Sequence, residues 1–342
     1  MRAFIIGGTG LVGRAISRRL LSAGWDVDVV ARHAAGLPTD LAAAGVHVHP
    51  GDRADSAALA VAFGAGADLL VDCICYTGAH ARELLPLAGN ATSTVMISSK
   101  AVYVDAAGRH SNSVDPPRFD RPIRETQPTL APGTVDADSR EGYGRNKVAA
   151  EQVLLDSGLP VSVLRPSKIH GEGARPAREW IFVKRVLDRR EVVMLAHRGA
   201  GVDHPSAAVN IAALVETVAA HPGRRILNSA DPDAPSGIDI ARYVAGHLGH
   251  QWAEILLGDD ADPRLGWHPW DRRPPIVLDT TAAVELGYRP VGDYRATVPA
   301  VIDWLTSTAQ LIDGAQLPAG FADDYFADRF DYQREDASLA SR

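Results

Sequence analysis

Cysteine is scarce. Cys73 and Cys75 are the only two in 342 residues. They stand two apart in an apolar, strand-like run, so a continuous strand points both thiols the same way. That spacing does not suit a mutual disulfide, which excludes a disulfide-stapled scaffold and suggests reduced thiols in the cytoplasm. No apolar run approaches the ~20 residues of a spanning helix, so no membrane partner is expected. The chain opens on a strand-like segment rather than a signal peptide, again pointing to a cytoplasmic protein. Positive charge is not in excess: 35 Lys and Arg face 42 Asp and Glu, a formal net charge of −7. That balance argues against nucleic acid as the main partner. The twelve histidines show no ligand-like spacing. His47 and His49 share one face of a strand, but nothing nearby completes a metal site, and none is expected. No internal repeat is present.

What is present is a chain 46% hydrophobic, with enough apolar residues for a sizeable core. Its start is the most informative segment. An apolar run ending in Ile5-Ile6 leads into Gly7-Gly8-Thr9-Gly10-Leu11-Val12-Gly13, with a helical pattern over 11–23. Three glycines at three-residue spacing between a strand and a helix make a tight turn. Its backbone N–H groups point at whatever occupies the helix N-terminus, where the dipole favours an anion. Glycine is needed there because a pyrophosphate must approach closely and the helix must pack against the strand.

Strands then alternate with helices: strands over 26–31, 46–49, 68–74, 94–98 and 161–164, helices over 53–63, 80–87 and 141–157. This alternation predicts an α/β, doubly wound parallel sheet. Residues 105–141 form a long aperiodic segment rich in Pro, Asp and Arg, of the kind that covers a site. Beyond Pro166 the alternation is irregular, with helices over 180–190 and 207–220 and short strands over 192–195 and 225–228. This half reads as mainly a smaller substrate-binding lobe (166–320), interleaved with the core (1–165) and followed by an aromatic, acidic tail (321–342). The aromatic spacing over 321–336 suggests a docked helix.

Tyr143 and Lys147 stand four apart on one predicted helix and so share a face. A phenol has a pKa of about 10 and is a poor base at neutral pH, but a nearby ammonium stabilises the phenolate. Such a pair can pass a proton to or from a carbonyl or alcohol. Ser98 and Ser99 sit at the carboxyl end of the fifth strand, facing the same crevice as the glycine turn. A serine there can hold a substrate oxygen against the tyrosine.

Taken together, Gly7-x-x-Gly10-x-x-Gly13, Ser98-Ser99-x-x-Val-Tyr103, Tyr143-Gly-x-x-Lys147-x-x-x-Glu151 and Leu164-Arg165-Pro166 resemble the short-chain dehydrogenase/reductase superfamily. The resemblance is to its extended, atypical branch of NAD(P)-dependent epimerase/dehydratase-like members, and it covers about residues 1–215. It implies a Rossmann fold with a C-terminal substrate lobe. It also implies that Ser99 orients the substrate oxygen, Tyr143 is the general acid/base, and Lys147 binds the nicotinamide ribose and lowers the tyrosine pKa. Gly7, Thr9, Gly10, Leu11, Val12 and Gly13 would cradle the cofactor. Cys75 and Tyr76 would lie beside it, Pro166 and Ile169 would line the nicotinamide, and Asp52 would reach the adenine. The branch often forms homodimers through paired helices, one of them the tyrosine helix.

The second strand ends Val29-Val30-Ala31-Arg32-His33, without the Asp or Glu that NAD-preferring folds place there. A guanidinium matches a 2′-phosphate, so Arg32 favours NADP(H) over NAD(H). A releasable cofactor suits net reduction of a carbonyl on a small organic substrate. A sugar-nucleotide epimerase is the alternative, weakened because Lys168 replaces the Asn that usually helps anchor a diphosphate. Lys100-Ala101 replaces the Asp-Glu pair of dehydratases. A non-catalytic nucleotide-sensing or RNA-binding relative is a second alternative. The aromatic walls of a substrate pocket are sought among Trp180, Trp252, Trp267 and Trp270, with His170, His204 and Arg198 as polar groups.

Overall fold

A computed structural model describes residues 1–33, 36–312, 315–318, 324–326 and 328–341. The first strand, β1 (Arg2–Ile6), is followed by helix α1 (Leu11–Ser22), then β2 (Asp26–Ala31), α2 (Thr39–Ala43), β3 (His47–Pro50) and α3 (Ser56–Phe63). The second half of the winding is β4 (Ala67–Asp72), α4 (Gly78–Ala88), β5 (Ala91–Ile97), α5 (Arg140–Asp156) and β6 (Val161–Pro166). Beyond these come β7 (Lys168–His170), α6 (Trp180–Leu187), β8 (Val192–Leu195), β9 (Pro205–Ala207), α7 (Ala208–Ala220) and β10 (Arg225–Ser229).

The main sheet has seven strands, all parallel, in the order β10-β6-β5-β4-β1-β2-β3. Alternate residues of each strand feed two cores. Ile5, Val29, Val71, Val95 and Ile97 pack on one face, under α1 and α7. Phe4, Ile6, Val30, Leu70 and Met96 pack on the other, under α3, α4 and α5. With both faces covered, the strands must be apolar on both sides, which is why β1 reads as a continuous apolar run. The strand order reverses between β1 and β4. The crevice outside the carboxyl ends at that reversal is where such sheets bind ligands.

The 225–228 strand belongs to this main sheet rather than to a separate lobe. It pairs with β6 in parallel register, Leu227 opposite Leu164. A second cluster, around α6, α8 (Gly237–His247) and α9 (Tyr294–Thr308), lies outside the sheet. It contains Trp180 and Trp270, fully buried, with Trp252 and Trp267 against them, so all four tryptophans named from sequence are packing residues of that cluster. The aromatic tail is not one helix. A short 3₁₀ turn (Asp324–Phe326) precedes the last helix, Tyr332–Ala340, and Phe321 lies outside the described residues. Glu335, 4% exposed, accepts from Arg185 Nη2 at 2.6 Å and docks that helix on α6.

Candidate active site

The chain leaves β1 through Gly7, whose φ of +81° lies in the left-handed region that glycine alone enters without strain. The turn closes with Gly7 N–H on Val30 O and Gly10 N–H on Gly7 O, both 3.1 Å. Gly10 then starts α1 without a side-chain cap, and no acid stands in the first helical turn. The first N–H groups of α1 therefore have no protein partner of the usual capping kind. A Cβ on Gly13 would lie 2.5 Å from the Gly7 carbonyl oxygen, and one on Gly8 would lie 2.4 Å from Cβ of Val29. The cradle is thus as tight as a bare backbone allows, and its open donors fit a dinucleotide pyrophosphate. Gly36 lies near Thr9 of this turn.

This turn forms one end of a cavity of about 840 Å³. Gly7, Thr9, Gly10, Leu11, Val12 and Gly13 line it together with Tyr76, Ser99, Tyr143, Lys147, Pro166 and Ile169. Twelve of the fifteen residues singled out from the sequence, separated by as many as 162 positions, therefore converge on one space.

Ser99 precedes a 3₁₀ turn (Lys100–Val102) after β5, and its hydroxyl accepts from Ala101 N–H at 3.1 Å. The same hydroxyl faces the Tyr143 phenol closely enough to lower its pKa. Ser98 is used differently: its hydroxyl donates to Glu151, which is 2% exposed and also accepts from Arg165 Nε at 3.0 Å and Nη2 at 2.5 Å. Arg165 stacks over Tyr103 at 4.8 Å, and the Tyr103 hydroxyl donates to Asn228 Oδ1 at 2.6 Å. The motif residues around the site thereby form a buried polar chain that pins α5 to β5, β6 and β10.

Lys147 is 1% exposed, and its ammonium donates to Cys75 O at 2.9 Å and Ile97 O at 2.8 Å. Burial pushes its pKa below the ordinary value. Nζ stands 4.5 Å from the Tyr76 ring centre and 6.0 Å from that of Tyr143. Burial pushes the Tyr143 phenol up, opposed by the neighbouring Ser99 hydroxyl. The expected lowering of the phenol by Lys147 is not found here, because that ammonium is committed to two backbone carbonyls on the strand side.

Three sequence-derived site residues lie elsewhere. Cys75 contributes its carbonyl to Lys147, while its thiol is buried in the opposite core beside Leu84 and Met96. The cause is Asp72: its Oδ1 accepts from Ile74 N–H at 2.9 Å and ends β4 in a turn, so the two cysteines face opposite sides of the sheet. Cys73 and Ile74 take the cavity wall instead. Asp52 is exposed and holds its own turn, accepting from Ala54 N–H at 2.9 Å, so it does not line the cavity. Arg32 is exposed just past the end of β2 and is also outside the lining, since the strand stops at Ala31. Arg14, a weak candidate from its place just past the third glycine, lines the cavity too, with members that the sequence did not announce: Arg175, Arg178 and Trp304. His170 and His204 serve a buried network on Asp231, at 2.8 Å to its carboxylate and 2.9 Å to its carbonyl, and Arg198 is exposed.

Comparison with known proteins agrees with this geometry. No curated protein sequence matches the chain. Solved structures match along most of its length. UDP-glucose 4-epimerase of Thermus thermophilus, in complex with NAD, is 18% identical with a TM-score of 0.63, covering 89% of this chain and 98% of that one. UDP-N-acetylglucosamine 4-epimerase of Bacillus cereus is 15% identical, TM-score 0.64, covering 88% and 98%. dTDP-glucose 4,6-dehydratase of Bacillus anthracis, in complex with NAD, is 13% identical, TM-score 0.65, covering 90% and 97%. At such identities these structures share the fold. The model of the NAD dependent epimerase/dehydratase family matches residues 3–204, more than half of the sequence. With the glycine cradle and the Ser99–Tyr143–Lys147 face on one cavity, the chain belongs to that family and is an enzyme of the extended short-chain dehydrogenase/reductase type.

Proposed function

We propose that this enzyme uses NADP(H) to reduce a carbonyl group of a small organic substrate. The observation that carries the reading is that the half-buried Tyr143 phenol and the Ser99 hydroxyl line the same cavity as the glycine cradle. A bound nicotinamide supplies the hydride, and the residues of the chain handle the oxygen. Ser99 donates its hydroxyl proton toward that oxygen and orients it. Tyr143 releases its own proton to the oxygen as negative charge develops there, giving an alcohol. Burial keeps the phenol protonated, the form a general acid needs in the reductive direction. Lys147, fixed by two carbonyls, holds a positive charge at the cofactor side of the face. Pro166 and Ile169 offer the apolar wall for a nicotinamide ring, and Arg32, exposed just past the end of β2 and outside that lining, is the proposed partner for a 2′-phosphate.

Fluorescence titration with NADPH and NADH tests this. NADPH binds more tightly and exchanges freely, and Arg32→Ala weakens NADPH by about tenfold, or ~1.4 kcal/mol, while sparing NADH. Equal loss for both cofactors refutes the assignment of Arg32. Tightly retained NAD(H) moves the reading to a sugar-nucleotide epimerase, which the NAD-bound epimerase among the similar folds favours. A homodimer through the α4–α5 face, read by size-exclusion with light scattering, and a reducing cytoplasm for the two free cysteines complete the proposal.

A further inference from the structure

Lys147 is a buried cation without a carboxylate of its own: among the described residues its ammonium makes no ion pair. A charge taken out of water needs compensation. The acids around it are spent elsewhere. Asp72 accepts from Arg53 Nε at 3.1 Å and Nη2 at 2.8 Å, and from Ile74 N–H at 2.9 Å. Glu151 is held by Ser98 and by two nitrogens of Arg165. The thiols of Cys73 and Cys75 are pushed up by burial and stay neutral. An ammonium has three N–H groups, and the carbonyls of Cys75 and Ile97 take two of them.

What remains is the face of a ring. Nζ lies over Tyr76, 4.5 Å from the ring centre, inside the ~6 Å reach of a cation–π contact. The Tyr143 ring, at 6.0 Å, is at the edge of that reach. The two rings are 6.5 Å apart, centre to centre, so the ammonium sits in a corner made by both. Tyr76 is 40% exposed and lines the cavity, so the contact is made at the cavity wall. Burial raises the Tyr76 phenol, and Tyr143, Cys73, Asp72 and Asp138 act in the same direction, so it stays a neutral ring. The turn before α4 fixes its backbone. Tyr76 N–H donates to His80 Nδ1 at 3.2 Å, His80 N–H donates to the Thr77 hydroxyl at 3.2 Å, and Arg53 Nη2 donates to His80 O at 2.5 Å.

We propose that Tyr76 is a positioning residue whose ring face holds the buried Lys147 ammonium on the cofactor side of the reacting face. The face of the ring does this and the hydroxyl does not, because a cation is drawn to the negative face of the aromatic quadrupole. The proposal rests on the reading that Lys147 and the glycine cradle serve one nicotinamide dinucleotide, and it holds for either cofactor and either direction of hydride transfer. A dinucleotide is an anion, so an ammonium at this place holds it better than a neutral amine does. Burial already lowers the Lys147 pKa, against Cys75, Asp72, Glu151 and Cys73, which raise it. Loss of the ring lowers it further, so the charge disappears at a lower pH.

The chain has four lysines, Lys100, Lys147, Lys168 and Lys184, so protein carrying lysine labelled with carbon-13 at Cε gives four signals by NMR. Lys147→Arg assigns the signal of interest by removing it. The pH titration is run on cofactor-free protein, and circular dichroism confirms that each variant folds. In Tyr76→Leu the Lys147 midpoint falls by about one pH unit, whereas in Tyr76→Phe it stays within about 0.3 unit of wild type. Fluorescence titration with NADPH and NADH reads the consequence: Tyr76→Leu weakens whichever cofactor binds, and the loss grows as pH rises, whereas Tyr76→Phe keeps the wild-type pH profile. An unchanged Lys147 midpoint in Tyr76→Leu, or equal shifts in the Leu and Phe variants, overturns the contact while leaving the reductase reading intact. A shifted midpoint with a wild-type pH profile of cofactor affinity overturns the assignment of the ammonium to the cofactor. A protein that binds neither cofactor, yet shows the shifted midpoint, removes the reductase reading and keeps the ring–ammonium contact.

Discussion

Gly13→Ala puts the glycine cradle to a quantitative test. The added methyl would sit 2.5 Å from the Gly7 carbonyl oxygen, 2.6 Å from Gly8 Cα and 2.9 Å from the Gly8 carbonyl carbon. All three are backbone atoms of the turn, so no side chain can swing aside. Ordinary contact begins at 3.4 Å, so the helix start and the turn must part by about 0.9 Å. A displacement of that size stretches an N–H···O bond of ~2.9 Å beyond the range in which it counts as one. Two charge-assisted bonds to a pyrophosphate at about 1.5 kcal/mol each amount to ~3 kcal/mol, or about two orders of magnitude in Kd. Fluorescence titration with NADPH and NADH reads the loss, and circular dichroism confirms that the sheet is intact. Gly246→Ala is the control. Gly246 lies exposed in α8 with nothing within 4 Å of an added Cβ, so the change stabilises the helix by up to ~1 kcal/mol and leaves both affinities alone. A folded Gly13→Ala protein with either cofactor affinity within threefold of wild type refutes the assignment of this turn.

Three further outcomes are expected. Tyr143→Phe keeps the ring and removes the proton, lowering kcat by about 10²–10⁴-fold with cofactor affinity unchanged, and a smaller loss in steady-state assays argues against Tyr143 as the acid. Glu151→Gln leaves Arg165 as a buried cation without its carboxylate and costs about 3 kcal/mol in urea unfolding, whereas a cost under 1 kcal/mol means the pair does not hold α5 in place. His268 is 1% exposed, neither ring nitrogen has a hydrogen-bond partner among the described residues, and burial pushes its pKa down to about 4. The unfolded chain therefore takes up a proton at this site below about pH 6.5 that the folded protein refuses until about pH 4. Stability present above pH 6.5 falls by ~2 kcal/mol at pH 5, and His268→Leu removes that slope from paired unfolding curves unless the reasoning is wrong.

The sheet and the reacting face were legible because each rests on short-range pattern. The apolar runs, the glycine spacing and the four-residue step from Tyr143 to Lys147 are local, and the structure keeps them. What escaped depends on partners far away in sequence or on one side chain's hydrogen bond. Residues 225–228 read as a strand, and the structure has one over Arg225–Ser229, but nothing local says that β6 is the neighbour. Cys73 and Cys75 alternate as strand residues until Asp72 bends the chain between them. Lys147 reads as a partner for the phenol, yet the carbonyls of Cys75 and Ile97 claim it. Lys100 and Lys168 read as substitutions at motif positions, and nothing local says that both reach Asp203. Arg178 and Trp304 reach the cavity from elements whose placement no periodicity encodes.

The bond between Tyr103 and Asn228 has a consequence for how the enzyme is made. Asn228 also donates to the carbonyls of Ile123 and Asp279, so β10 gathers the long segment before α5 as well as the sheet edge. A nascent chain that has not yet delivered β10 already contains the glycine turn, Ser99, Tyr143 and Lys147, but β6 is an open edge and Tyr103 has no acceptor. Nucleotide affinity should thus mature earlier in synthesis than turnover does, since domains tend to fold from the N-terminus as they emerge. Truncations ending before residue 225 would separate the two abilities, leaving a protein that holds its cofactor without a firmly seated acid.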